Sequence, residues 1–261
     1  MSGRISSRQN ALVKRFRGAA HGEFPDLMLL DGDHLLREAI VSGIRIEAVV
    51  FADRIDDGEL MHGAERTGAE IFRVSEPVLS AISPVRQPSG VVAIALKPDL
   101  SLEDVLAKSP ALVVMLSDVQ DPGNVGAVIR AAEGCGATGV VCSDATADPF
   151  GWKALRGAMG STFRLPVAAK HPLGDAIAAA RTRGLRVFAT TLRDGTPLPD
   201  CDLRKPAAVV FGSEGRGLPD SVADAADARV TIPMQGPVES LNVAVAAALV
   251  LYEAARQRRH S

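Results

Sequence analysis

Three loops of this chain concentrate the side chains that can do chemistry. Gln120–Gly126 (QDPGNVG) follows the apolar run Ala111–Val119 and opens into a helix bearing Arg130. Gly212–Gly217 (GSEGRG) follows Ala207–Phe211 and sets Glu214 between Gly212 and Gly215. Pro233–Gly236 follows Arg229–Ile232 and leads, after three residues, to Ser240, Leu241 and Asn242. Taken singly, each is an ordinary turn, glycine serving the backbone and polar residues serving solvation. Taken together they put a guanidinium, a carboxylate and several amides beside glycine at strand carboxyl ends. In open α/β sheets that edge is where ligands bind.

The elements that must position these loops read as two α/β parts. From Ala111 on, strand candidates are Ala111–Val119, Thr138–Ser143, Leu185–Thr191, Ala207–Gly212 and Arg229–Pro233, with a last helix over Leu241–Arg256. Their short, nearly continuous apolar runs suit parallel strands covered on both faces. Ahead of them, a first helix carries Leu12, Val13 and Phe16 on one side and basic residues on the other. A second follows Asp33 as N-cap, runs through Leu35, Leu36, Ala39 and Ile40, and stops at Gly43. Ile46–Ala52, Ile71–Val74 and Gly90–Leu96 are β-like, and the prolines of Ser83–Gly90 (SPVRQPSG) make a loop presenting Arg86 and Gln87. Lys97–Leu100 (KPDL) breaks the pattern, and Ser101 with Asp104 starts a new helix as a capping box. The expectation is two domains, 1–97 and 98–261, the second an α/β fold with a largely parallel sheet.

Composition narrows the functions. The 261 residues are 47% hydrophobic and 23% charged, enough apolar surface to order the chain. Cys135, Cys142 and Cys201 form no C-x-x-C pair, and the five histidines lack the spacing of a metal site. No apolar stretch reaches the ~20 residues of a membrane span, and the polar first ten residues are not a secretory signal. A cytoplasmic protein with no metal and no membrane partner is expected. The net charge of −2 argues against nucleic acid only as an average. Arg4, Arg8, Lys14, Arg15 and Arg17 fall in the first 22 residues without an acid, and Arg256, Arg258 and Arg259 follow the last one, Glu253. One Trp and one Tyr argue against an aromatic platform for stacked bases and favour shape and phosphate contacts.

One motif is a decoy. Gly134–Gly139 (GCGATG) matches G-x-G-x-x-G letter for letter. A dinucleotide site needs those glycines between a strand and the helix that follows it. Here they close the helix Asn124–Glu133 and lead into the strand Thr138–Ser143, which is C-capping chemistry. A nicotinamide-dependent oxidoreductase rests on this hexapeptide alone.

The stretches Asp121–Ala131 (DPGNVGAVIRA), Val209–Leu218 (VVFGSEGRGL) and Ile232–Ala246 (IPMQGPVESLNVAVA) resemble, in order, the motifs of the SpoU family of RNA ribose 2′-O-methyltransferases, members of the SPOUT class. Ile5–Val13 (ISSRQNALV), Leu30–Ala39 (LDGDHLLREA) and the loop before Gly90 are more loosely similar to an L30e-like substrate-binding domain. The resemblance implies a smaller L30e-like domain followed by a SPOUT α/β domain whose deep trefoil knot holds S-adenosyl-L-methionine. It also implies an RNA substrate, ribosomal RNA or tRNA with ribosomal RNA favoured, and a homodimer joined through the small-residue helix of Val243, Ala246, Ala247 and Val250.

The family's cofactor positions fall on Gly212, Ile232 and Leu241, and its catalytic positions on Asn124, Arg130, Glu214, Ser240 and Asn242. With the front domain taken as RNA-binding, Arg4, Arg8, Lys14 and Arg86 become RNA contacts, and Arg156 fits the same role. The family proposal makes Arg130 the residue that activates the ribose hydroxyl. A guanidinium is a poor base below its pKa of ~12. Its role therefore stands open between base and phosphate clamp. Asn124 at a helix start doubles as an N-cap candidate, as does Ser240 for the final helix, with Asn242 in its first turn. Two departures stand out. In Lys153–Val167 (KALRGAMGSTFRLPV) the family's serine two places after Arg156 is Ala158, and Glu239 stands where smaller or uncharged residues are usual. A non-catalytic RNA-binding protein of the same fold is the competing reading; it has no need for all five polar site residues.

Overall fold

The computed structural model describes residues 3–259. They form two compact units: the chain up to Pro98 together with Phe150–Phe163, and the remainder from Asp99. The sequence carries no mark of the excursion at 150–163, which the boundary drawn at 97/98 leaves in the second part.

The first unit begins with β1 (Gly3–Ile5), α1 (Ala11–His21), β2 (Leu27–Asp31), α2 (Asp33–Val41), β3 (Ile46–Ala52), α3 (Gly58–Arg66), β4 (Glu70–Val74), α4 (Glu76–Ile82) and β5 (Val91–Leu96). The sheet order is β1-β4-β3-β5-β2. β1, β4 and β3 are parallel, and β5 is antiparallel to β3 and β2. β2, β3 and β5 read as almost unbroken apolar runs and pack around Phe16, Leu29, Val50, Leu79 and Ile94, β2 closing one edge of the sheet. Each such side chain contributes about 1.5–3 kcal/mol on burial. α1 starts at Asn10, whose side chain accepts from the Leu12 amide; it buries Val13 and Phe16 and leaves Lys14, Arg15 and Arg17 exposed. Asp33 is not the cap of α2 but its first residue; Gly32 holds the cap position and supplies no side chain.

The second unit continues with α5 (Leu102–Val105), β6 (Leu112–Leu116), α6 (Pro122–Gly134) and β7 (Gly139–Cys142). The excursion holds α7 (Trp152–Ala158), and α8 (Ser161–Arg164) crosses its far boundary. Then come β8 (Val167–Ala168), α9 (Leu173–Thr182), β9 (Arg186–Thr190), β10 (Thr196–Pro197), β11 (Ala207–Phe211), α10 (Asp220–Ala225), β12 (Ala228–Thr231) and α11 (Val243–Arg258). The seven strands stand in the order β10-β12-β9-β11-β6-β7-β8, every pairing parallel. β6, β7 and β11 are buried residue by residue, as a sheet covered on both faces requires.

Local signals set the helix ends. Ser101 and Asp104 form the expected capping box on α5. Gly136, at φ 78°, follows the end of α6, so GCGATG terminates a helix as its position implies. Among the described residues no helix is long and apolar enough to cross a membrane.

Candidate active site

The parallel sheet brings the carboxyl ends of β6, β9, β11 and β12 to one edge. β11 enters between β9 and β6, beside the strand from which the chain first ran outward to β7 and β8. That is the switch point at which α/β sheets open a crevice. A cavity of about 470 Å³ lies there, lined by Phe211, Gly212, Glu214, Ile232, Ser240 and Leu241 among others.

The Gly212–Gly217 loop is built by the backbone. Ser213 and Gly217 pair through both their amides, at 3.2 and 3.0 Å. At Gly212 a Cβ would overlap the Gly217 carbonyl group and stand 2.5 Å from the Leu218 nitrogen. The close approach that requires glycine here is to the chain's own backbone.

Two caps hold the amides. Asp121, not Asn124, is the N-cap of α6: its carboxylate accepts from the Asn124 amide at 2.9 Å, and Pro122 fills the first helical position. Asn242, not Ser240, caps α11, its Oδ1 accepting from Ala244 at 2.9 Å and Val245 at 3.3 Å. Two backbone donors on Oδ1 fix which way the Asn242 amide points. Its Nδ2 then donates to Asn124 Oδ1 at 3.1 Å, and Asn124 Nδ2 donates to Glu214 Oε1 at 2.5 Å. A chain of defined polarity thus runs from the α11 N-terminus to one oxygen of a carboxylate, leaving Glu214 Oε2 for another donor.

The structure gathers Asn124, Glu214 and Asn242 by hydrogen bonds, and Glu214, Gly212, Ile232, Ser240 and Leu241 around the cavity. Arg130 is joined to none of them. It is exposed on α6 and makes no hydrogen bond or ion pair among the described residues. In the first unit, Arg4 pairs with Asp53 at 2.7 Å and Arg8 donates to the Pro77 carbonyl at 3.0 Å. Lys14 and Arg86 are exposed, and Arg156 lines a separate cavity. Ala158, the missing hydroxyl position, is fully buried.

Some lining residues escaped the sequence reading. Thr190 and Thr191, at the end of β9, belong to a fourth strand end on the same edge, and a polar pair closing an apolar strand was the available signal. Asp-Pro before an apolar helix likewise spells N-cap and first position, which would have placed the α6 start. No group of three or more His, Cys, Asp or Glu able to hold a metal occurs among the described residues.

A cavity beside a fixed carboxylate–amide chain, at the carboxyl edge of a parallel sheet, is where an enzyme of the α/β class binds its ligand. Residues 111–252 match the SpoU rRNA Methylase family, and residues 14–93 match the MRM3-like substrate binding domain. The chain belongs to the SpoU rRNA methylase family. It is 35% identical over 225 residues to the 23S rRNA (guanosine(2553)-2′-O)-methyltransferase RlmP of Bacillus subtilis, covering 86% of each chain. Among solved structures it is similar to an AdoMet-bound rRNA methyltransferase from Sinorhizobium meliloti, at TM-score 0.87 and 31% identity over 98% of this chain and 97% of that one. It is also similar to the SpoU methyltransferase AviRb from Streptomyces viridochromogenes in complex with AdoMet. There the TM-score is 0.86 and the identity 25%, over 97% of this chain and all of that one.

Proposed function

We propose that this chain methylates one ribose 2′-hydroxyl of 23S ribosomal RNA, the substrate class of its Bacillus relative. The observation that carries the proposal is the hydrogen-bonded chain Asn242–Asn124–Glu214, whose Glu214 end lines the cavity. Ile232, Leu241 and Phe211 suit an adenine face, and the tight main chain of Gly212–Gly217 suits the polar part of the cofactor. S-Adenosylmethionine, when bound, supplies a sulfonium methyl that needs only alignment with a nucleophile and exclusion of water. Glu214, held at one oxygen, keeps the other to accept from the ribose hydroxyl, orienting it and receiving its proton as the oxygen takes the methyl. Arg130, exposed and unpaired among the described residues, is placed to clamp the neighbouring phosphate rather than to take a proton.

In the same reading Arg4, Arg8, Lys14, Arg86 and Arg156 contact the RNA, and the front unit, residues 1–97, serves as its substrate-binding domain. The entry of β11 between β9 and β6 supports the trefoil knot that the resemblance implies. For the homodimer, the alanine side of α11 is not the contact face. Ala247, Val250 and Ala254 are buried, and the helix packs on α6 within one chain. Val245, Leu249 and Tyr252 form an exposed apolar stripe on α11, and this is the dimer face we propose. Ribosomal RNA as substrate, with three free cysteines, supports a cytoplasmic protein.

The test is transfer of labelled methyl to 23S rRNA and to tRNA, followed by mapping of the modified ribose. Label in 23S rRNA, abolished by Glu214→Gln and reduced by Arg130→Lys, supports the proposal. Label confined to tRNA, or full activity of Arg130→Lys, refutes the substrate or the clamp respectively. S-Adenosylhomocysteine should raise the melting temperature where NAD does not. Light scattering should give a dimer that Leu249→Asp dissociates.

A further inference from the structure

The first unit holds a cavity of about 390 Å³ that the methyl-transfer site does not use. It is lined by Asp31, His34 and Leu35, from the end of β2 and the start of α2, and by Trp152, Lys153 and Arg156 of α7. Asp31 is the unusual member. Its residue is only 8% exposed, and its carboxylate has one protein hydrogen bond, from Ser83 Oγ at 2.5 Å to Oδ2. No cation lies within ion-pair distance of it among the described residues. Burial pushes its pKa up, while the Ser83 hydroxyl and the charge of Arg156 pull it down. A carboxylate can accept at about four lone-pair sites. One neutral hydroxyl leaves most of that capacity unspent at a site where an unpaired polar group is costly.

The surroundings say what kind of donor fits. Lys153 Nζ sits 5.4 Å from the Trp152 ring centroid, so one cation is held at the rim by the indole. Arg156 is exposed on the same helix. α2 begins at the cavity with no side-chain cap, so its first amides are also donors. Positive groups therefore ring a single buried acceptor. A phosphate alone would meet the rim but be repelled by Asp31. A neutral base carried on a phosphate satisfies both. Among the four RNA bases, only guanine has two adjacent donors, N1–H and the 2-amino group, matching a carboxylate. Adenine and cytosine set an acceptor nitrogen beside their amino group, and uracil flanks its single N–H with carbonyls.

Resting on the reading of this unit as RNA-binding, we propose that the cavity takes one unpaired guanine nucleotide of the substrate RNA. Asp31 accepts from N1–H and the 2-amino group, and Lys153 and Arg156 hold the attached phosphate. Ser83 is a positioning residue, since its hydroxyl holds the carboxylate at the cavity wall. Bases read in this way must be free of a duplex, in a loop, bulge or single strand.

Trp152 is the only tryptophan of the chain, so intrinsic indole fluorescence reports this cavity directly. The full chain is titrated with the trinucleotides ApGpA, ApIpA and ApApA and with inorganic phosphate, free tryptophan amide correcting for absorbance. Inosine differs from guanine only in lacking the 2-amino group. Loss of one hydrogen bond to a charged acceptor predicts an affinity for ApIpA about ten-fold weaker than for ApGpA. ApApA should be weaker still, and phosphate should not saturate. Arg156→Ala should weaken all trinucleotides alike, whereas Asp31→Asn should abolish the preference for guanine. Ser83→Ala, which keeps the carboxylate, should lower the preference and leave methyl-donor binding intact. Equal quenching by ApGpA and ApIpA in the unaltered chain, or no saturable quenching, overturns the proposal without recourse to any variant. Methyl transfer to 23S rRNA by the same preparation separates that failure from failure of the methyltransferase reading.

Discussion

Three glycines of one short loop should respond differently to the same change, because the structure uses each differently. At Gly212 an added Cβ meets main-chain atoms of Gly217 and Leu218, with the Leu218 nitrogen at 2.5 Å. No side-chain rotation relieves a clash with backbone, and the Ser213–Gly217 pairing ties the opposing strand of the loop in place. Overpacking costs typically 1–3 kcal/mol. With only backbone to move, Gly212→Ala should lie at the upper end, about 3 kcal/mol. For a chain of this size that is a fall in melting temperature of roughly 6–12 °C. At Gly217 a Cβ meets nothing within 4 Å, but φ is +68°. Gly217→Ala should cost about 1–2 kcal/mol through left-handed strain alone, and Gly217→Asn less, since asparagine tolerates that region. Gly215 has open space and no positive φ, so Gly215→Ala should be neutral within about 0.5 kcal/mol. Thermal unfolding of the three variants, with S-adenosylhomocysteine titrated into each, checks the ranking. Equal loss at 212 and 215 would refute the claim that Gly212 is there for chain-on-chain approach. So would an intact Gly212→Ala that merely binds the ligand less tightly, since its Cβ would then face the ligand and not the chain.

Other outcomes follow from single contacts. Asn242→Asp keeps an acceptor for the Ala244 and Val245 amides but removes the donor to Asn124. Methyl transfer should fall about ten-fold or more while the melting temperature barely moves; Asn242→Ala should lose both, with about 1 kcal/mol of stability. The Arg256 guanidinium and the Gln257 amide hold the Glu253 carboxyl down at about 2, from 4.5. A depressed carboxylate stabilises above its unfolded pKa and loses that contribution as pH falls through its folded one. The cost of Glu253→Gln, under about 1 kcal/mol at pH 7, should therefore shrink between pH 4.5 and 2 in acid-unfolding curves. Cys142, fully buried and with its thiol pushed up to about 12, should resist iodoacetamide until the chain unfolds. Mass spectrometry of labelled peptides checks this, and modification of the native protein at Cys142 would contradict the packing of β7.

Much of the site was legible because its parts are local. A turn of glycine and a polar residue after an apolar run marks a strand end wherever it stands. The order of the three motifs named the family before any distance was known. Terminal signals were legible too where they rest on adjacent residues, as in the Ser101–Asp104 box and the glycines closing α6. Short strands were not: β1, β8 and β10 span two or three residues and exist only because a neighbour pairs with them. β2 is an apolar run too brief to separate by period from helix.

What the sequence determined by itself was therefore the chemistry: the residue types, their order along the chain, and the absence of metal-binding spacing. The tertiary structure decided which atoms meet. Asn124 and Glu214 are 90 residues apart, and Asn242 lies 118 beyond Asn124, yet one hydrogen-bonded chain joins them. Cap assignments moved by one to three residues, because the cap is set by where the loop enters the helix and which group then reaches an orphan amide. Gly212 needs to be glycine for Gly217 and Leu218, a contact set by where β11 enters the sheet. Asp31, unremarkable in LDGDH, becomes a buried carboxylate only when β2, the loop at Ser83 and α7 are folded together. Pairing, burial and close approach are properties of distance in space, and a linear pattern does not encode them.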